Sequence, residues 1–169
     1  MSKFLLGACG RVVAVGALIV FMVGCGKDHG VKLYPVKGAV YINGAPAKDV
    51  NVMFTRTIPL EGFSTPISPS AVTEDDGSFR LMSFDPDDGA PEGDYQVTII
   101  YPMSRFNKNL SGIDRLKGKF ANPKTSNVTA KVEPKINNLP TFDLKAEVMP
   151  PAPTQTSGAQ AKYKKNRDK

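Results

Sequence analysis

The chain contains no tryptophan, one histidine and two cysteines among 169 residues. Each scarcity excludes something. Without Trp the broadest aromatic platform for stacking on a sugar ring is missing. A Ser-His-Asp or Cys-His arrangement would have to use His29. That residue lies in Gly26-Lys27-Asp28-His29-Gly30, a polar stretch that reads as a flexible spacer. Catalytic groups must be held to a fraction of an ångström, so the spacer is a poor place for one. No apolar run is long enough for a membrane span. The longest, Val12 to Gly24, has thirteen residues, or roughly 20 Å of helix against a bilayer core of about 30 Å. The body also lacks net charge. The formal +6 comes from Lys3 and Arg11 at one end and from Lys162, Lys164, Lys165, Arg167 and Lys169, less Asp168, at the other, leaving residues 12–149 balanced. A basic nucleic-acid-binding face is therefore not expected.

What is present begins with a targeting pattern. Positive charge at Lys3 and Arg11 precedes the short apolar run, which suits a signal peptide. Met22-Val23-Gly24-Cys25 then resembles a bacterial lipobox, with Met22 where leucine is usual. The resemblance implies diacylglycerol on the Cys25 thiol and cleavage just before it. Cys9 comes after too few apolar residues and leaves with the signal. A mature chain starting at Cys25 has no second cysteine, so no internal disulfide can form. The competing readings are an ordinary cleaved signal, or an uncleaved anchor, with Cys25 as a bystander. The expected organisation is a lipoprotein signal peptide (1–24), a lipidated tether (25–32), a β domain (33–148) and a Pro-rich, then basic, disordered tail (149–169).

From Tyr34 onward the apolar residues alternate with polar ones, the period of a half-buried strand. Tyr34, Val36, Gly38, Val40 and Ile42 share one face, and Asn43-Gly44 comes next as a hairpin turn. Val50, Val52 and Phe54 alternate next, then come a short segment at 71–73 and a strand at 78–84. Tyr95, Val97, Ile99 and Tyr101 form a strand whose other face carries Ile100, which marks it as central. Segments around 128–132 and 142–146 complete the set. Gly and Pro make up about a sixth of the chain, as a turn-rich β protein requires. The expected fold is all-β: a seven-stranded antiparallel sandwich of Ig-like or prealbumin-like type, with a short helical connection at 112–120.

Tyr34-Pro-Val-Lys-Gly38, Asn43-Gly-Ala-Pro-Ala47 and Val50-Asn-Val-Met-Phe54 together resemble the opening of a carboxypeptidase-regulatory-like (transthyretin-like) domain. Thr73-Glu-Asp-Asp-Gly-Ser-Phe79 and Gly89-Ala-Pro-Glu-Gly-Asp-Tyr95 are similar to that family's later turns. Leu116 to Pro123 and Asn138-Leu-Pro140 resemble its branch in small planctomycete lipoproteins. The resemblance implies a non-catalytic module and supplies no catalytic or cofactor-binding residues.

Three loops remain as candidates for recognition. Residues 57–70 mix Pro59, Pro66 and Pro69 with Ile58, Leu60, Phe63 and Ile67. Residues 85–94 carry Asp85, Asp87, Asp88, Glu92 and Asp94, an oxygen-rich set. Counted from Asp85, the sixth residue is Ala90 and the twelfth Gln96, so the EF-hand pattern of Gly and Glu fails there. Asp85, Asp87 and Asp88 read instead as solvated turn formers, with a non-EF-hand Ca²⁺ site as the alternative, and no metal site is assigned. Residues 103–111 centre on Arg105, Phe106 and Lys108. The expectation is a lipid-anchored, extracytoplasmic envelope module at the cell or outer membrane, held by Cys25. An envelope protein or anionic polymer is its expected partner, and it needs no cofactor. The alternative is a lipoprotein binding a small ligand, sugar or Ca²⁺. A hydrolase depending on His29 is the third option.

Overall fold

A computed structural model describes residues 29–63, 65–104 and 107–152. Cys25, the signal segment and the basic tail lie outside these residues. In chain order the strands are β1 (Leu33–Tyr34), β2 (Val36–Ile42), β3 (Ala45–Pro46), β4 (Asn51–Arg56), β5 (Ser70–Val72) and β6 (Ser78–Arg80). They continue with β7 (Ala90–Pro91), β8 (Gly93–Ile100), β9 (Thr129–Val132), β10 (Asn137–Asn138) and β11 (Phe142–Leu144). The described residues are all-β, with no helix.

One sheet has the order β5-β4-β8-β9 and is antiparallel throughout. The strand carrying Ile100 is interior, as its two apolar faces predict. The other sheet is built on β2. Its first half pairs with β6 and β10, its second half with β3 and β11. The core lies between them. Val36, Val40 and Ile42 from β2 are buried in one cluster with Val52, Phe54, Val97 and Ile99 from β4 and β8. Phe54 meets Phe79 edge-on at 6.5 Å between ring centres and Tyr95 at 5.5 Å, so aromatic contact links the two sheets. Gly38 interrupts the inward row of β2 for a steric reason. A Cβ there would fall 2.5 Å from Phe79 Cζ, so the ring occupies the missing side chain's place.

Several expectations need correction. Among the described residues eleven short segments take the place of seven strands, and the pairing is not purely antiparallel, because β10 and β11 both run parallel to β2. The turn at 133–136 returns the chain to the starting end of β2, so β10 and β11 run in the same direction as β2. Asn137 fixes that turn: its side chain donates to the Glu133 and Lys135 carbonyls and accepts from the Glu133 amide. Tyr34 does not continue into β2. Pro35 has no N–H for the ladder, and β1 pairs with β7 instead. The connection at 112–120 is a series of turns, not a helix. The Asp114 carboxylate gathers the amides of Tyr101, Leu116 and Gly118 at 2.9–3.0 Å. Lys117 and Gly118 both take positive φ, which no right-handed helix allows. Leu116 and Phe120 from these turns are nevertheless buried in the core.

Candidate functional site

The strand expected at 78–84 stops at Arg80 because Asp88 captures the chain beyond it. The Asp88 carboxylate accepts the amides of Ser83 at 2.6 Å, Phe84 at 2.9 Å and Asp85 at 2.8 Å. The Ser83 hydroxyl donates to the Gly89 carbonyl at 2.7 Å. The loop is thereby held as a rigid wall beside the open face of the four-stranded sheet.

That face carries the outward residues of β4, β5 and β8. Along β4, Val52 and Phe54 point into the core while Asn51 and Met53 are exposed. Met53 sits opposite Thr98 on one side and Ser70 on the other; Asn51 sits opposite Ile100 and Val72. Ser70 and Met82 form an isolated antiparallel bridge, which closes the gap between β5 and the chain leaving β6. Pro86 and Asp87 overhang from the loop. The result is an open groove of about 420 Å³ with an apolar lining from Met53, Val72, Met82, Pro86 and Ile100. At its rim Arg80 donates to Asp87 at 3.2 Å. Met53 and Met82 remain about two-fifths exposed, and flexible, polarizable methionines suit a surface that must adapt to a partner.

His29, expected to be a spacer, is docked. Its ring stacks on Phe84 with centres 4.1 Å apart and planes 9° from parallel, and Nε2 lies 3.3 Å from Asp85. Just after it, β1 pairs with β7, and Gly89 packs so closely on Tyr34 that a Cβ would sit 1.9 Å from the Tyr34 carbonyl oxygen. The chain thus enters the domain clamped to the acidic loop.

The loop's acids are separated by their duties. Asp88 serves backbone amides, Asp87 pairs with Arg80 and Asp85 with His29. Among the described residues no three His, Cys, Asp or Glu side chains converge as a metal would require. Residues 57–63 and 65–70 border a small apolar hollow of about 230 Å³ lined by Pro59, Leu60, Phe63 and Ile67. Arg56 stands at its edge, donating to the Ile58 and Glu92 carbonyls and lying over the Tyr95 ring. Burial pushes the Tyr95 phenol above its ordinary pKa, and the adjacent Arg56 opposes that shift. In the loop at 103–111, Arg105 and Phe106 lie outside the described residues.

The groove was the feature the sequence concealed. Met53 and Ile100 were visible as apolar residues on outward strand faces, but Met82 and Pro86 reach them only because Asp88 breaks the strand after Arg80.

No protein-family model matches the chain, and no curated protein matches it. Among solved structures it is similar to a DUF3823 family protein from Parabacteroides merdae, at 15% identity over 71% of this chain and 47% of that one, with a TM-score of 0.32. It is also similar to a 9R-lipoxygenase from Cyanothece, at 15% identity over 75% of this chain and 20% of that one, with a TM-score of 0.35. The chain spans less than half the length of either, and neither likeness carries an argument about this protein.

Proposed function

We propose that the chain is a lipid-anchored, extracytoplasmic β-sandwich that serves the cell envelope as a non-catalytic protein-interaction module. The anchor reading rests on the sequence around Cys25. The interaction reading rests on one observation, the open apolar groove on the outer face of the β4–β5–β8 sheet. An apolar centre with a charged rim, here Arg80 and Asp87, is the usual anatomy of a recognition patch. The groove's lining suits an apolar side chain or short segment of a partner better than a sugar, which would need more hydrogen-bonding groups and an aromatic platform.

A photo-crosslinking amino acid placed at Met53, and separately at Ile113, which lies in the turns beyond β8 and does not line the groove, tests this in intact membranes. The proposal expects one discrete crosslinked product at position 53 that disappears when Met82→Asp is added, and none at 113. Equal labelling at both positions, or a product indifferent to Met82→Asp, would rule out the groove as the recognition surface.

A further inference from the structure

We infer that the end of the domain bearing residues 57–63 and 65–69, Phe84 and the turn at 133–136 lies against the bilayer, with Ile58, Phe84 and Ile136 reaching into its headgroup layer. The inference rests on the lipid anchor at Cys25. His29 lies four chain steps beyond Cys25, a reach of at most about 14 Å. His29 is stacked on Phe84 with ring centres 4.1 Å apart, so the Phe84 ring is held within roughly 20 Å of the lipid attachment point.

Strand register identifies what else occupies this end. β6 ends beside the start of β2, with Arg80 opposite Lys37, and Asn137 lies opposite Val36. β4 ends and β9 ends beside the start of β8, with Arg56 opposite Tyr95 and Val132 opposite Gly93. The loops after β4, β6 and β9 therefore share one end with the tether. A hollow lined by Phe63, Pro66, Ile67 and Phe84 shows the first two of these loops side by side. Ile58 is 73% exposed and Ile136 65% exposed, the highest values among the large apolar side chains described; Phe84 is 39% exposed. The opposite end presents only Ile113 among the exposed large apolar residues described. Single exposed apolar residues are ordinary on protein surfaces. Their concentration at the end nearest the anchor is what calls for a membrane. Asp85, Asp87, Asp88 and Glu92 disfavour a strongly anionic surface, so the partner is a zwitterionic or weakly charged bilayer.

The lack of Trp makes the test clean. A chain starting at Cys25 keeps every described residue and has one thiol, which can be coupled to a maleimide lipid in phosphatidylcholine vesicles. Ile58→Trp, Ile136→Trp and Ile113→Trp then report depth one at a time. The first two should emit further to the blue on vesicles than in solution and be quenched by brominated acyl chains several-fold more than the third. Water-like emission from all three, or strongest quenching of Ile113→Trp, would overturn the inference. Coupling is chemical, so the result does not depend on whether cells lipidate Cys25; fatty-acid labelling of cells reports that separately.

Discussion

Gly89 joins the acidic loop to the incoming chain, and replacing it with alanine perturbs that joint at a single atom. Gly89 has φ of +90°, and its added Cβ would lie 1.9 Å from the Tyr34 oxygen and 2.9 Å from Pro35 Cα. The backbone conformation alone costs alanine about 1–2 kcal/mol. Relieving the collision means separating β1 from β7, at about 1 kcal/mol for each ladder hydrogen bond lost. With two bonds lost the sum is about 3–4 kcal/mol, which for a domain of this size lowers the melting temperature by roughly 10–14 °C. Gly44 supplies the control. It has φ of +83° but nothing within 4 Å of its Cβ position. Gly44→Ala should therefore show only the conformational part, roughly 4–7 °C. Thermal unfolding followed by circular dichroism compares the two, and hydrogen exchange at Leu33 and Tyr34 should accelerate only in Gly89→Ala. Equal melting temperatures in the two variants would refute the close packing of β1 on the loop.

Three other outcomes rest on the same kind of contact. Asp88→Ala removes an acceptor from three amides and should destabilise the domain by about 2–4 kcal/mol; the amides of Ser83, Phe84 and Asp85 should lose exchange protection first, and unchanged protection would contradict the staple. The Tyr95 phenol resists ionisation in the folded chain, so its contribution is intact below the unfolded pKa of about 10 and is lost as pH rises through the higher folded value. Urea unfolding of Tyr95→Phe between pH 9 and 11 should accordingly show a flatter decline than the parent, whose hydroxyl also donates to the Pro91 carbonyl at 2.7 Å. Millimolar calcium should leave the melting temperature unmoved, because Asp85, Asp87 and Asp88 each face a different partner; a rise would show a native-state site and revive the calcium reading.

Much of the core was legible because burial on a strand leaves a period of two. Val36, Val40, Val52, Phe54, Val97 and Ile99 were all on the expected inward faces, and each is at most 2% exposed. Gly38 and Pro35 were less legible. One serves a ring forty-one positions away and the other ends a ladder, and neither fact alters local alternation. The parallel pairing of β10 and β11 was invisible for a different reason. Short segments choose a direction from the loop before them, and here that loop is set by the hydrogen bonds of Asn137, a residue with no apolar pattern. The groove and the docking of His29 share a cause that a linear reading cannot supply. Both depend on Asp88 folding the chain back after Phe84, so that Met82 faces β5 and Phe84 meets a histidine fifty-five residues earlier.

A sandwich that works while tethered to a membrane through Cys25 must carry lipid on that residue in the cell. Metabolic labelling of cells with a fatty acid reads this out. Tethering predicts label on the mature chain and its complete loss in Cys25→Ala. An unlabelled chain, or label that survives Cys25→Ala, would contradict it.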